Sequence, residues 1–357
     1  MMQAREKTII LYGAYGYTGK LIAEECRTRG LHVILSGRRE TSLIIQSHET
    51  GYPFEVVDLS NTLALKKLLQ KGCVVIHCGG PFQYTAQTMV EMCLQTKTHY
   101  TDISGEYQVF EMLSSYDALA KDAGITILPG AGFDVVPSDC LAVYLKNQLP
   151  SAVRLQLAFM SSGGLSRGTA KTMVEGLGAG SVVRRDGILV HIPLGERTRK
   201  VNFGRVTLPC LNIPWGDVST AWYSTGIPDI EVYTAATASV ITAARLSRYF
   251  NWLVKARWVK RILLAAIDRK VSGPGKEKLE TGKSLLWGKV YDVSGKTRVA
   301  AIETLSGYKL TSKTSVVIAE NILDGNFKTG FQTPAGAYGA DLIMRIENTR
   351  RIDLQDE

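Results

Sequence analysis

Leu11-Tyr12-Gly13-Ala14-Tyr15-Gly16-Tyr17-Thr18-Gly19-Lys20 carries three glycines and sets the architecture of the residues around it. It follows a short apolar run, Thr8-Ile9-Ile10-Leu11-Tyr12, rich in β-branched residues and of the length of a buried strand. It precedes Leu21-Ile22-Ala23-Glu24-Glu25-Cys26-Arg27, which reads as a helix closing near Gly30. A glycine pattern between strand and helix marks a tight turn whose backbone can come close to a diphosphate, because glycine has no Cβ in the way. The N–H groups that open the helix then face the phosphate oxygens. The spacing is G-x-x-G-x-x-G rather than the commoner G-x-G-x-x-G. Three glycines also serve close helix–strand packing, so a plain structural turn is the competing reading. On the first reading Gly13, Tyr15, Gly16, Tyr17, Thr18 and Gly19 hold a dinucleotide.

His32-Val33-Ile34-Leu35-Ser36-Gly37 is a second strand, with Arg38 and Arg39 at its end. In a Rossmann unit this position faces the adenosine ribose, where a carboxylate suits a 2′-hydroxyl and an arginine a 2′-phosphate. Two arginines and no carboxylate point to NADP; a solvated charge pair opening the next helix is the alternative. Phe54–Leu59 is a third strand, with Ser60 or Asn61 as the N-cap of the helix Leu63–Gln70, and Asp58 either meets the adenine amino group or serves as a cap. Cys73–Cys78 is a fourth strand running into Gly79-Gly80-Pro81-Phe82, whose small residues leave room for the central ribose and nicotinamide. His77 and Cys78 on this apolar strand read as core.

Thr85–Lys97 is helical and leads to His99-Tyr100-Thr101-Asp102-Ile103-Ser104-Gly105-Glu106, which gathers titratable groups at the end of a short strand. Such strand ends, at the carboxyl edge of an open α/β sheet, are where ligands bind. A helix over Tyr107–Asp122, a strand over Ile125–Leu128 and a helix over Ser138–Gln148, with Pro137 in its first turn, complete the series. The alternation from Thr8 to Leu149 predicts an α/β fold with a doubly wound parallel sheet covered by helices on both faces.

With 357 residues the chain has room for two domains, and 45% hydrophobic against 21% charged residues marks it as globular. A net charge of +9 favours anionic ligands, while the lack of dense Lys/Arg blocks speaks against a nucleic-acid partner. The cysteines Cys26, Cys73, Cys78, Cys93, Cys140 and Cys210 form no CxxC pair and no metal spacing, as expected of reduced, buried thiols. No apolar segment follows Met1–Lys7 as a secretory leader would require, and no stretch is long enough to span a bilayer. A cytoplasmic location is the expectation, with membrane association as its variant.

Several pieces together resemble saccharopine dehydrogenase-like NADP-binding proteins, especially the trans-acting enoyl reductases. They are Gly13–Gly19, Gly37-Arg38-Arg39, Gly80-Pro81-Phe82, Tyr100–Glu106 and Pro129-Gly130-Ala131-Gly132-Phe133-Asp134, then Arg167-Gly168-Thr169, Gly307-Tyr308 and Gly330–Ala335. The resemblance implies an NADP-binding Rossmann domain and a second, α+β domain built on a mostly antiparallel sheet. The expected division is 1–150 for the first, 151–330 for the second, and a segment 331–357 that returns to the first. Family members act on amino-acid imines or on unsaturated lipids, and the fold alone does not choose between them.

In the second half, Arg154–Met160 alternates as a strand, and Ser161–Thr169 reads as a loop opening a helix over Ala170–Leu177. Arg185-Asp186-Gly187 is a hairpin turn, Val201–Asp217 and Ile230–Ala238 read as strands, and Tyr291–Glu303 as a hairpin around Ser294-Gly295. Arg245–Lys270 mixes basic and aromatic residues, but its apolar side shifts near Lys255, which fits two short helices. Contact with a membrane surface and ordinary packing are both open there. Ser272-Gly273-Pro274-Gly275-Lys276 is a loop, either a lid or a connector. Thr311–Leu323 is helical, and Thr333-Pro334-Ala335-Gly336 opens a last helix to about Ile346.

For reduction of a C=C, C=O or C=N bond, a donor must meet the charge that develops on the substrate. Tyr100, Asp102, Glu106 and Asp134 are the candidates, each alternatively a hydrogen-bonded strut. No metal set, no nucleophile elbow and no Tyr-x-x-x-Lys occurs in the sequence. The expected function is therefore NADPH-dependent reduction of a hydrophobic small molecule by a homo-oligomer. An accessory protein that senses NADP without turnover and an amino-acid imine reductase stand as alternatives.

Overall fold

The computed structural model describes residues 7–162, 166–176, 178–247, 249, 256–270, 273 and 275–355. In chain order the first elements are β1 (Thr8–Tyr12), α1 (Tyr17–Thr28), β2 (His32–Gly37), α2 (Glu40–Thr50), β3 (Phe54–Val56), α3 (Thr62–Leu69), β4 (Val74–His77), α4 (Phe82–Thr96), β5 (His99–Asp102), α5 (Tyr107–Ser114), α6 (Asp117–Ala123) and β6 (Thr126–Leu128). Then come α7 (Val136–Gln148), β7 (Arg154–Ser161), α8 (Arg167–Glu175), β8 (Ser181–Arg185), β9 (Ile188–Ile192), β10 (Thr198–Asn202), β11 (Thr207–Asn212), α9 (Asp217–Thr225), β12 (Asp229–Ala235), α10 (Ala238–Ser247) and α11 (Arg257–Lys270). The chain closes with α12 (Lys276–Thr281), β13 (Lys283–Tyr291), β14 (Thr297–Leu305), α13 (Gly307–Leu323), β15 (Gly330–Phe331), α14 (Pro334–Tyr338) and β16 (Arg350–Leu354).

The first sheet has seven strands in the order β15-β6-β5-β4-β1-β2-β3, every pair parallel. Ile9, Ile10 and Leu11 of β1 are fully buried, as are Val74, Val75 and Ile76 of β4. Such unbroken apolar runs belong to parallel strands covered on both faces. The order reverses between β1 and β4, and the carboxyl ends of the strands at such a reversal are where sheets of this kind bind ligands.

Two features escape a reading by alternation. The third strand stops at Val56 rather than Leu59, because the Asp58 carboxylate accepts from the Ser60 amide at 2.9 Å and turns the chain. The sheet also gains its seventh strand from Gly330–Phe331, late in the sequence. α13 belongs to the same unit: the hydroxyl of Thr314 donates to Ala131 O at 2.8 Å, and that of Thr311 accepts from the Phe133 amide at 2.9 Å.

The chain divides into two compact units, one of residues up to Val136 with Tyr308–Ala337, the other of Pro137–Gly307 with the residues from Tyr338 on. This differs from divisions at 150 and 330. α7 goes with the second unit, because Leu141 and Leu145 pack where Gly288 of β13 lacks a side chain. Of the carboxyl-terminal segment only the part to Ala337 joins the first unit. The last helix ends at Tyr338, where Gly339 takes φ +82°, and β16 pairs with β14 in the second sheet.

That second sheet runs β10-β11-β12-β7-β13-β14-β16 and is antiparallel except between β12 and β7. Val201–Asp217 is two strands and the start of α9, not one strand. The Arg185-Asp186-Gly187 turn joins β8 to β9, with Asp186 at φ +48° and Gly187 at φ +76°, the geometry a two-residue hairpin needs. One face of the sheet packs on α7. The other curls until the turn at Gly204 lies against Leu354 of β16, enclosing Ala158, Val201, Phe203, Cys210, Tyr233, Trp287 and Val299.

Residues 245–270 contribute parts of α10 and α11; Lys255, the expected break, lies outside the described residues, as do Ser272 and Pro274. Among the described residues no helix is long and apolar enough to cross a membrane, and no group of three or more His, Cys, Asp or Glu is placed to hold a metal.

On the curled face Glu231 is buried and paired with Arg154, Arg185 and Arg197. Burial alone would raise its pKa. Hydrogen bonds from Gln156 and Tyr233 and the charges of Arg154 and Arg197 outweigh this and hold it at about 2. Because the folded value lies below that of the unfolded chain, Glu231 stabilises the fold above about pH 4.3, and this contribution is lost as pH falls toward 2. Denaturant titrations should therefore show Glu231→Gln less stable by about 2–4 kcal/mol at pH 7, with the gap narrowing below pH 4. A gap independent of pH would contradict this account.

Candidate functional site

The site is built on the carboxyl edge of the first sheet. The turn after β1 is fixed from within. Gly13 has φ +78°, and a Cβ there would stand 2.8 Å from the carbonyl carbon of Cys78 at the exit of β4. A Cβ on Gly19 would stand 2.5 Å from Gly13 O, so α1 starts in close contact with the turn. Only the carbonyl of Gly13 lies near a Cβ on Gly16, at 3.1 Å. Gly16 is the cap of α1 and offers no side-chain cap hydrogen bond, which leaves this end of the helix open to an anion. Packing thus requires two of the three glycines, and the middle one is the least confined.

Tyr15 links the turn to the end of β2. Its hydroxyl accepts from the Arg38 amide at 3.2 Å, its ring lies against Gly37, and the Arg39 guanidinium stacks over it at 4.6 Å. Arg38 and Arg39 are exposed. Asp58 holds its own turn through the Ser60 amide and hydroxyl, which lower its pKa, with the charge of Arg38 acting in the same direction. Asn61, not Asp58, caps α3 by accepting from the Ala64 amide at 3.0 Å.

Gly79 and Gly80 follow β4. Gly79 lies between the rings of Tyr12 and His77, where a Cβ would stand 3.1 Å from each. Pro81 is the cap residue of α4, while the Phe82 side chain turns into the core with its ring edge-on to His77. His77 is buried and its pKa is pushed down to about 3, so it is neutral; its Nε2 meets the Thr85 hydroxyl at 3.0 Å. It is a core histidine.

Asp102 closes β5 as a fully buried carboxylate. Its Oδ1 accepts from the Ser104 amide at 2.9 Å, the Ser104 hydroxyl at 2.7 Å and the Gly130 amide at 2.8 Å, while Oδ2 accepts from the Tyr100 hydroxyl at 2.6 Å. Burial raises its pKa against these hydrogen bonds. Tyr100 is itself wholly buried, and its pKa is driven well up by burial and by Asp102. A phenol so placed touches Asp102, as the strut reading of Tyr100 expects.

Glu106 and Asp134 differ from Asp102 in being partly exposed. Glu106 accepts from the Gly105 amide at 3.1 Å and from the Phe82 amide at the start of α4. Burial nonetheless lifts its pKa to about 7. Asp134 is lifted to about 7 by burial and then by the charge of Glu106. Its carboxylate fits against Gly105, where a Cβ would stand 2.8 Å from Oδ2. The role of Gly105 in admitting Asp134 beside Glu106 was not visible from sequence; the Gly-Glu pair directly after a strand end was the available signal.

A parallel sheet with a reversal point, a glycine turn meeting an open helix start and arginines beyond β2 define a dinucleotide-binding domain of the doubly wound type. Residues 9–128 match the family model described as saccharopine dehydrogenase NADP binding domain. The match covers about a third of the chain and makes this segment similar to the nucleotide-binding domain of that family. The chain is 28% identical over 211 residues to a saccharopine dehydrogenase-like oxidoreductase of Bos taurus, covering 51% of this chain and 49% of that protein. It is 32% identical over 148 residues to a trans-acting enoyl reductase of Mycobacterium tuberculosis, covering 39% and 35%. The matched region thus spans about half the length of the first relative and about a third of the second. Among solved structures, apo saccharopine dehydrogenase (L-Glu forming) of Saccharomyces cerevisiae shares the fold, with a TM-score of 0.69 at 14% identity, over 98% of this chain and 100% of that one.

The packing of the turn has a measurable consequence. Gly13→Ala and Gly19→Ala should each destabilise the protein by about 2–3 kcal/mol in denaturant titrations. Gly16→Ala should cost under about 1 kcal/mol yet weaken cofactor binding. A stability loss at Gly16 equal to that at Gly13 would refute this division of roles.

Proposed function

We propose that this chain is an NADPH-dependent oxidoreductase that reduces a C=C, C=O or C=N bond of a hydrophobic, lipid-like small molecule. The observation that carries this reading is the Glu106–Asp134 pair, two adjacent carboxyls with pKa near 7, on the same sheet edge as the glycine turn. Gly13, Gly16, Tyr17, Thr18 and Gly19 would hold the diphosphate. Arg38 and Arg39 would take the 2′-phosphate, with Tyr15 as the surface on which Arg39 is stacked. Gly79, Gly80 and Pro81 would flank the nicotinamide, and Phe82 would support them from the core. Bound NADPH supplies the hydride.

The residues of this chain supply the proton and the alignment. Glu106 is the general acid: at neutral pH a substantial fraction of its carboxyl is protonated, because burial and then the charge of Asp102 disfavour ionisation. Tyr100 and Asp102 are positioning residues, since their hydrogen bonds tie the end of β5 to the loop that bears Asp134. A hydrophobic substrate is supported by the similarity to the enoyl reductases. Exposed Leu246, Tyr249, Trp258 and Ile262 support a peripheral lipid contact of the second unit. We place the protein in the cytoplasm as a homo-oligomer.

NADPH should bind at least about tenfold more tightly than NADH, the worth of one charge-assisted phosphate contact, and Arg38→Ala should remove the difference. Equal affinities in the wild type would overturn the arginine assignment. The rate of substrate reduction should fall as pH rises through about 7, because the protonated carboxyl is lost. Glu106→Gln should lower kcat by roughly 10²–10⁴-fold and flatten that profile. NADPH binding without turnover of any enoyl, carbonyl or imine substrate would favour a sensing role instead.

A further inference from the structure

A second charged cluster lies on the curled face of the second sheet. Paired positions of the ladders place Arg199 of β10, Glu231 and Tyr233 of β12, Arg154 and Gln156 of β7, and Tyr291 of β13 on this one face. Glu231 is reached by Arg154 at 3.4 Å and by Arg185 at 2.6 Å, and Arg197 pairs with the same carboxylate. Gln156 and Tyr233 donate to it at 2.7 Å each. Gln156 Oε1 in turn accepts from Arg199 and from the Tyr291 hydroxyl.

Three guanidiniums therefore pair with Glu231, and a fourth, that of Arg199, is held beside them through Gln156. The other carboxylate beside them is Asp229, opposite Arg154 in the ladder, whose Oδ1 already accepts from the Asp186 amide. With the Lys289 ammonium, which lies on the same face over the Tyr291 ring at 4.9 Å, the cations outnumber these two carboxylates and leave an excess of positive charge. The fan is rigid: Arg199 stacks on Trp287 at 4.5 Å, and Arg154 lies over Tyr291 at 5.5 Å. It is also reachable, since Arg154, Arg185 and Arg197 keep 39%, 28% and 32% of their side-chain surface exposed. The Nε atoms of Arg154 and Arg199 are buried without a hydrogen bond, so the donors of this cluster exceed the acceptors around them.

Like charges held this close repel, and an added anion relieves them. The geometry points to a phosphate site: we propose that Arg154, Arg185, Arg197 and Arg199 bind a phosphomonoester or diphosphate group. A phosphate dianion offsets this excess. It also presents several oxygens to planar forks arriving from different strands, which suits guanidinium better than ammonium. Glu231 is then a positioning residue that holds three of the forks in place before the ligand arrives. A free diphosphate and a lipid phosphate headgroup share this chemistry.

Isothermal titration of the full chain with sodium pyrophosphate should show saturable binding. Arg197→Met and Arg199→Met should each weaken it by at least about tenfold, with NADPH affinity unchanged. Should either variant misfold, the wild type gives the same answer: pyrophosphate should protect Arg197 and Arg199 from modification by phenylglyoxal. Cosedimentation with phosphatidate vesicles but not phosphatidylcholine vesicles, reversed by pyrophosphate, would assign the phosphate to a lipid. Binding of pyrophosphate without cosedimentation would assign it to a soluble ligand. No saturable heat together with no protection would overturn the proposal, as would tighter binding of glutarate than of pyrophosphate.

Discussion

The first unit depends on one buried carboxylate. Asp102 sits where β5 ends, and its two oxygens collect four donors from Tyr100, Ser104 and Gly130. A charge in that position would be intolerable without them, and with them it becomes a fastener. It ties the strand, the turn behind it and the loop after β6 into one piece. The backbone adds a fifth link, as the Ala131 amide donates to Asp102 O at 2.7 Å. The consequence is felt at Glu106 and Asp134, which sit on the two segments so joined. Their raised proton affinities need them close together and short of water, and neither condition would hold if the loops moved independently.

The second unit solves a similar problem in the opposite way. Its buried Glu231 meets an oversupply of donors rather than a matched set, and its proton affinity falls where that of Glu106 rises. Desolvation acts on both carboxyls with the same sign. The difference comes from the neighbours, which are guanidiniums in one case and another acid in the other.

Much of this was legible in the residues. Apolar runs such as Ile9–Leu11 and Val74–Ile76 announce parallel strands, and the glycine spacing with Arg38 and Arg39 announces what the crevice holds. Glu106 and Asp134 could be named because acids following strand ends in an α/β alternation fall on the ligand edge. Tyr100 could be read as donor or as strut: a tyrosine on a short strand can face the core or the edge, and only the partner of its hydroxyl decides. Asp58 was ambiguous for the same reason, its turn being a matter of a hydrogen bond two residues away. The Glu231 cluster was not legible at all. Its arginines are scattered over Arg154, Arg185, Arg197 and Arg199, and nothing local links them until ladders bring β7, β8, β10 and β12 together. The placement of α13 and β15 escaped for a like reason, since periodicity shows that a segment is helical or extended but not which sheet it joins.

That late strand has an implication for how the protein comes into being. The edge at β6 is made early, but Gly330–Phe331 and the helix before it arrive roughly 200 residues later, which at ribosomal speeds is roughly 10–40 s. For that interval the nascent sheet has an unprotected side at β6, a template for pairing with another chain. The second unit's principal strands are synthesised in the meantime. The sheet is thus outlined first and its β6 edge covered almost last, and the exposed rim is one reason such a chain would draw on chaperones before its synthesis ends.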